Sequence, residues 1–171
     1  MSSSSTDTNV SIFWALDEML EIRKATQDDI PLLRQMYMTE VETHDNRAQT
    51  FAEDLVHRFK TMLAFKEGNL CGTVSWDIRG GLDDGVVEMI SIGVNSDYQR
   101  QKIASRLVDS MIQEANQHYS AKGYILRVII LFMEVGNEVA RKFYTSMGFE
   151  EAACIKAFYP HDDGSIWIRH Q

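Results

Sequence analysis

Hydrophobic and polar positions follow two different periods along the chain. In residues 70–78 every second position is apolar or small, which predicts a β-strand, and residues 62–65 supply the other arm of a hairpin. In residues 100–122 apolar positions recur at helical spacing, which predicts an amphipathic helix of about six turns. Residues 124–133 are almost continuously apolar, as is typical of a strand buried on both faces.

The remaining segments complete a mixed α/β sheet of about six to seven strands with flanking helices. The predicted order of elements is β-α-α-β-β-β-α-β-α-β-β. The long helix joins strand 86–94 to strand 124–133, so these two strands should run parallel with a right-handed crossover. The other predicted strands cover 20–25, 151–158 and 165–168; the other helices cover 30–41, 51–59 and 138–147, and loops cover 42–50 and 79–85.

The chain length of 171 residues suits one domain with its own hydrophobic core. We assign residues 20–171 to that domain. Residues 1–19 are a polar N-terminal extension with a short apolar segment at 12–19.

Net charge and cysteine content limit the classes of partner and the cellular compartment that the sequence predicts. The net charge of −8 argues against a nucleic-acid partner, and no apolar stretch of roughly 20 residues predicts a membrane span. The N-terminus lacks the basic and apolar regions of a secretory signal. Cys71 and Cys154 are too few for a disulfide framework, and the five histidines lack metal-ligand spacing, so we expect a cytoplasmic protein without a metal.

The turn that follows strand 86–94 leads directly into the long helix. Backbone N–H groups at a helix N-terminus favour a phosphate or pyrophosphate, and Arg100 and Lys102 add local positive charge. The alternative interpretation is that these are solvated first-turn residues. A second segment, 137–149, begins with Asn137, which can cap the helix that follows it.

Together the two segments resemble the GCN5-related N-acetyltransferase (GNAT) superfamily. Its Gln/Arg-x-x-Gly-x-Gly/Ala motif is matched by Gln99, Arg100, Gln101, Lys102, Ile103 and Ala104. Its later pattern Asn-x-x-Ala-x-x-Phe-Tyr-x-x-x-Gly-Phe is matched by Asn137, Ala140, Phe143, Tyr144, Gly148 and Phe149. Lys102 stands where the family has its middle glycine, and we expect this lysine to fit within the first helical turn.

The resemblance implies a GNAT-like acyl-CoA N-acyltransferase fold and acetyl-CoA as co-substrate. A bulge in the fourth strand would free a backbone N–H for the thioester oxygen, and the corresponding stretch is 91–94, with Ile92 and Val94 as candidate main-chain contacts. The residues implied to bind acetyl-CoA are Ile92, Gly93, Val94, Gln99, Arg100, Gln101, Lys102, Ile103, Ala104, Asn137, Phe143 and Tyr144.

Two side chains are candidates for proton transfer. Tyr144 matches the general acid of the family, which protonates the departing sulfur; the alternative is a structural tyrosine. Glu88 matches the position of a general base and should share a strand face with apolar residues, where a carboxylate holds a proton more readily. Glu88 could instead bind substrate or pair with a cation.

The predicted function is therefore transfer of an acetyl group from acetyl-CoA to a primary amine by direct attack in a ternary complex. A non-catalytic CoA-binding or interaction module is the alternative. The acceptor is a small-molecule or peptide amine, and relatives that dimerise make a homodimer an open alternative. Acidic residues at the expected acceptor mouth favour a positively charged amine, unless they are simply soluble surface: Glu40, Glu42, Asp45, Asp162 and Asp163.

Overall fold

A computed structural model of the protein describes residues 20–171, so the apolar segment predicted at 12–19 lies outside the described residues. The predicted order of strands and helices is confirmed. The strands are β1 (Leu20–Lys24), β2 (Lys60–Lys66), β3 (Asn69–Arg79), β4 (Val86–Val94), β5 (Val128–Glu134), β6 (Glu150–Ile155) and β7 (Gly164–His170). The α-helices are α1 (Ile30–Glu40), α2 (Asp45–Glu53), α3 (Ile103–Ser120) and α4 (Glu138–Ser146).

All seven strands form one sheet in the order β1-β2-β3-β4-β5-β7-β6. β4 and β5 run parallel, and every other neighbouring pair is antiparallel. The parallel pair is the one joined by α3, as the sequence predicts, because a parallel connection needs a long crossover. The mixed sheet with flanking helices is confirmed.

Helices cover both faces of the sheet, and alternate residues of β2 belong to different cores. Met62 and Ala64 pack in the larger cluster with the apolar stripe of α3, while Leu63 and Phe65 pack in the smaller cluster with α1 and α2. Period two in a strand sends successive side chains to opposite faces, which is why one strand serves two cores. Burying a side chain such as Leu63 stabilises the fold by about 1.5–3 kcal/mol.

The predicted loop at 42–50 is wrong, because α2 begins at Asp45. His44 caps this helix by accepting a hydrogen bond from the Arg47 backbone N–H at 3.3 Å. Only Ala48 and Ala52 of α2 are buried, so the helix carries almost no apolar stripe that a periodicity could detect. Residues 54–58 then continue it as a single π-helical turn.

The strand predicted at 124–133 is also partly wrong. β5 begins only at Val128, and Ile125 is 78% exposed. Within β5 buried and half-buried residues alternate, so one face of the strand is fully buried and the other is only partly covered. The apolar run in the sequence hides this alternation, because residues on both faces are hydrophobic.

α3 and β6 are both shorter than predicted. α3 starts at Ile103 rather than at 100, and β6 ends at Ile155. Strand Val86–Val94 has the predicted bounds, and Gly148 closes α4 with a φ of +80°. Across residues 20–171, no helix has the length and apolar content to cross a membrane.

Candidate active site

β4 and β5 separate soon after they begin. Their parallel pairing covers only Val86–Glu88 opposite Val128–Ile130, and the carboxyl-terminal parts of both strands continue beyond that pairing. Ligands of α/β sheets commonly bind at the carboxyl ends of parallel strands. The divergence therefore opens a cleft in the middle of the sheet, flanked by the strand ends that the sequence singles out.

The predicted bulge in the fourth strand is present. Trp76 of β3 lies opposite Met89, but the preceding residue Ser75 lies opposite Ser91, so Ile90 is an extra residue in β4. A bulge leaves a residue unpaired and redirects the strand. It falls immediately before the stretch that holds Ile92 and Val94, whose contacts with the thioester remain a prediction.

The turn between β4 and α3 has an unusual backbone. Arg100 and Lys102 both have a φ of 61°, and Lys102 is the N-cap residue of α3 in the left-handed conformation. The expectation that Lys102 lies within the first helical turn is therefore wrong. Left-handed backbone costs a residue with a Cβ atom roughly 1–2 kcal/mol, whereas glycine adopts it freely. Lys102 therefore has the left-handed backbone conformation that the glycine of the family motif adopts without strain.

The same turn exposes backbone N–H groups and collects cations. The first helical bond of α3 runs from the Arg106 N–H to the Lys102 carbonyl at 3.1 Å, so the three preceding N–H groups have no acceptor within the helix. Lys66, at the end of β2, donates to Gln101 Oε1 and adds a third cation to Arg100 and Lys102. Gln99 Nε2 donates to the Val94 carbonyl at 3.4 Å and ties the turn to β4.

Tyr144 projects from α4 into the larger core. The residue is 9% exposed, and its ring lies 5.3 Å from Phe143 and 5.8 Å from Phe149 between centroids. Burial raises the pKa of Tyr144 to about 12, so its hydroxyl keeps its proton at neutral pH. Asn137 caps α4 as predicted, with Oδ1 accepting from the Ala140 N–H at 3.0 Å. The cap fixes the start of the helix that carries Tyr144.

Glu88 does not lie among apolar side chains alone. Val87 and Met89 belong to the larger core, so Glu88 points to the other face of β4, where its side chain is 17% exposed. There its Oε2 accepts a hydrogen bond from Arg79 Nε. Val86 and the paired Ile130 share this face, so apolar neighbours are present as predicted, and the alternative that Glu88 pairs with a cation is confirmed.

Sequence reasoning did not identify Glu134 and Tyr159. Glu134 ends β5 on the same face as Glu88, and its carboxylate has no hydrogen bond or ion pair within residues 20–171. Burial raises the pKa of Tyr159, and the negative charges of Glu134 and Glu88 raise it further. The three side chains therefore share one region. The sequence feature that could have identified Glu134 is its position as a charged residue at the carboxyl end of an apolar strand.

The acidic residues of the expected acceptor mouth are already engaged. Glu42 pairs with Arg47, and Asp45 pairs with Arg34. The other three carboxylates accept backbone N–H groups: Glu40 from Ser96, Asp162 from Gly136 and Asp163, and Asp163 from Ala157. All five carboxylates therefore have partners in the structure, and the preference for a positively charged acceptor stays a prediction. No cluster of three or more histidine, cysteine or acidic side chains in residues 20–171 could hold a metal ion.

Comparison with known families identifies the class of protein that this fold and cleft define. The acetyltransferase (GNAT) family profile matches residues 20–149. The chain belongs to this family, whose members use acetyl-CoA, and it is an N-acetyltransferase of the acyl-CoA-dependent type. The resemblance and the expectation of an enzyme are confirmed, and the alternative of a non-catalytic module is set aside.

Individual relatives agree with this assignment. The [ribosomal protein bS18]-alanine N-acetyltransferase of Escherichia coli K12 is 28% identical over 118 residues, which are 68% of this chain and 72% of the relative. The crystal structure of the Escherichia coli ribosomal-protein-S18-alanine N-acetyltransferase superposes with a TM-score of 0.71 at 21% identity, over 89% of this chain and 94% of that one. Arabidopsis thaliana Naa50 in complex with the bisubstrate analogue CoA-Ac-MVNAL gives a TM-score of 0.65 at 19% identity, over 88% and 98% of the two chains.

Proposed function

We propose that the protein transfers the acetyl group of acetyl-CoA to the free α-amino group of a peptide or protein, by direct attack in a ternary complex. The proposal rests on the cleft between the diverging strands β4 and β5 in a chain of the acetyltransferase family. The acceptor class is supported by two relatives, one named for a ribosomal-protein alanine and one bound to an analogue that joins CoA to a peptide.

In this proposal the turn at residues 99–104 binds the pyrophosphate. The N–H groups at the start of α3 and the charges of Lys66, Arg100 and Lys102 are suited to an anion. Asn137 acts by placing α4 beside the donor through its cap on that helix, and Phe143 acts by packing against the Tyr144 ring. The acyl carbonyl would then lie along Ile92, Gly93 and Val94, where a backbone N–H stabilises the oxyanion by about 3–4 kcal/mol.

The chemical step moves one acetyl group and two protons. The amine nitrogen attacks the thioester carbon, the carbon–sulfur bond breaks, and the departing sulfur takes the Tyr144 hydroxyl proton. The attacking amine loses a proton to a carboxylate. With a pKa of about 12, Tyr144 is present as the protonated acid throughout the neutral range.

Two carboxylates can accept the proton of the amine. Glu88 remains a candidate, but the hydrogen bond from Arg79 already occupies one of its oxygens. Glu134 has no such partner within the described chain and lies on the same face of the sheet. We therefore assign proton removal to Glu134 and the positioning of the acceptor to the Glu88–Arg79 pair.

The experiment uses the full chain, acetyl-CoA and three acceptors. These are a peptide with a free N-terminal alanine, the same peptide with a blocked N-terminus and one lysine, and spermidine. Release of free CoA thiol measures the rate, and mass spectrometry locates the acetyl group. We expect the free N-terminus to be acetylated with the highest kcat/KM; faster acetylation of the lysine or of spermidine would reject the α-amine proposal.

A further inference from the structure

A second cavity lies away from the candidate active site. It has a volume of about 240 Å³, smaller than the roughly 300–1,000 Å³ of a drug-sized pocket. It is formed by the end of β1, the start of β2, the π-helical turn 54–58 and the carboxyl-terminal half of α3. Glu114 on its wall follows Ile103 by eleven residues, which is about 16 Å along α3. None of its lining residues belongs to the proposed acetyl-transfer site.

Buried polar atoms without a partner collect around this cavity. Within residues 20–171 four buried side-chain atoms have no hydrogen-bond partner, and three of them are Trp76 Nε1, Glu114 Oε2 and His118 Nε2. Glu114 and His118 line the cavity, and the Trp76 ring lies 5.8 Å from the His118 ring. An unsatisfied buried polar group is destabilising, so two such atoms on the wall and a third beside the wall indicate a site built for a polar ligand.

The charges on the wall define what that ligand must carry. Lys24 Nζ contacts Glu114 Oε1 at 2.8 Å and leaves Oε2 as an acceptor in need of a donor. Lys60 has no carboxylate partner among the described residues, and its ammonium lies 5.3 Å from the centre of the Trp76 ring. The lining thus offers one cation for an anionic group and one carboxylate oxygen for a hydrogen-bond donor.

The backbone around the cavity is also irregular. π-Helical turns are rare and occur often at functional sites. Here the turn places Leu55 and Val56 on the wall, and the buried Thr61 hydroxyl satisfies the Leu55 carbonyl at 2.6 Å. The hydrogen bond from Thr61 therefore stabilises the π-helical turn. Leu55, Val56 and Phe59 thus add apolar lining to the charged residues of the cavity.

We propose that this cavity binds a small carboxylate that carries a hydroxyl or amino group on the adjacent carbon. The carboxylate pairs with Lys60, and the adjacent O–H or N–H donates to Glu114 Oε2. The short carbon chain rests against Leu55 and Phe59, which also line the cavity. A phosphate dianion fits less well, because it would bring a second negative charge against Glu114.

His118 is placed to report occupancy. Burial lowers the pKa of His118, and the positive charges of Lys122, Lys60 and Lys24 lower it further while Glu114 opposes them. The imidazole is neutral at pH 7.5 in these surroundings. A carboxylate bound beside Lys60 adds negative charge at this ring, so its nitrogen resonances should shift when the cavity fills.

The test compares three probes that differ by one group each. L-lactate has the carboxylate and the donor, propionate lacks the donor, and 1,2-propanediol lacks the carboxylate. Calorimetry and the ¹⁵N resonances of His118 are followed at pH 7.5, both without and with saturating acetyl-CoA. We expect L-lactate to bind and to shift His118, and the other two to bind about ten-fold more weakly or not at all.

Variants assign the contacts. Lys60→Met and Glu114→Gln should each weaken lactate about ten-fold, while Lys122→Met, a cation near His118 that does not line the cavity, should leave affinity unchanged. Circular dichroism confirms that each variant is folded. Absence of lactate binding, equal binding of propionate, loss of binding with acetyl-CoA or indifference to both variants would each overturn the proposal.

Discussion

Arg79 donates its Nε–H to Glu88 Oε2 across the β3–β4 pair. This contact distinguishes Glu88 from Glu134, the other carboxylate near the cleft. Asp77 is the residue directly opposite Glu88 in the ladder, and Arg79 also lies 3.6 Å from its carboxylate. One guanidinium thus compensates two acids on neighbouring strands. Glu134 has no comparable cation within residues 20–171, so it is the carboxylate with both oxygens open to an amine.

The first prediction compares two isosteric variants. Glu134→Gln should lower kcat/KM by about 10²–10⁴-fold, the range for a general base, because glutamine cannot accept the proton. Glu88→Gln should lower it less and mainly raise KM for the acceptor, because the amide keeps the shape but loosens the contact with Arg79. Initial rates with the alanine peptide measure both effects. A larger loss of kcat in Glu88→Gln would return the role of base to Glu88.

The second prediction concerns Tyr144. Replacing it with Phe removes one hydroxyl from a buried ring and should lower kcat by about 10²–10⁴-fold with little change in KM for acetyl-CoA. Tyr124→Phe is the matched control, because it removes the same hydroxyl from an exposed tyrosine outside the proposed site. If Tyr144→Phe retains the wild-type kcat, water or another group protonates the sulfur.

The pH dependence gives a further check on the same residue. A general acid acts in its protonated form, and that form is lost only as pH rises through its pKa, which is about 12 for Tyr144. The kcat of the wild type should therefore not fall because of Tyr144 between pH 7 and about pH 10, the ordinary pKa of tyrosine. A decline of kcat in that interval that Tyr144→Phe abolishes would contradict the raised pKa.

The sequence predicted the elements whose hydrophobic pattern is strong. The alternation in β3 and the apolar stripe of α3 reflect burial on one face, so the hairpin and the long helix were found. The second helix was predicted at 51–59, and the first part of α2 was assigned to a loop, because only two residues of α2 are buried. A hydrophobic pattern reflects which residues are buried, so it does not predict a helix that buries few of its residues.

The candidate site was predictable as a list of residues but not as a set of contacts. The motif located Tyr144 and the turn at 99–104, because short-range sequence carries them. The partner of Glu88 depends on the register between β3 and β4, and Arg79 was assigned to a loop rather than to β3. The left-handed backbone of Lys102 is likewise imposed by the path between β4 and α3, since a lysine does not favour it.

The third prediction is a pH effect on stability from Asp29, at the N-terminal end of α1. Its carboxylate accepts from Arg23 at 2.7 and 2.8 Å and from the Thr26 N–H at 2.7 Å, and the side chain is 7% exposed. Hydrogen bonding to Arg23 lowers the pKa of Asp29 from 3.8 to about 2. A pKa that is lower in the folded chain stabilises the folded state at every pH above the pKa of the unfolded chain. That contribution is lost as pH falls from about 4 to about 2.

Asp29→Asn should therefore lower the free energy of unfolding at pH 7 by about 2 kcal/mol. The difference from the wild type should shrink as pH falls toward 2. Urea unfolding at pH 7, 4 and 2.5 measures it, and Asp28→Asn is the control because its side chain is exposed one residue away. Equal effects of the two variants, or a difference that does not change with pH, would disprove the assignment.

The final prediction separates the backbone of Lys102 from its charge. Its φ of 61° is left-handed, so glycine can replace it without strain, glutamine removes only the charge, and valine combines no charge with a β-branched side chain that resists this conformation. We expect acetyl-CoA affinity, measured by calorimetry, to be kept or tightened in Lys102→Gly and weakened at least about ten-fold in Lys102→Val, with Lys102→Gln between them. If Gly and Gln weaken binding equally while Val does no further harm, the ammonium rather than the conformation of this residue binds the phosphate.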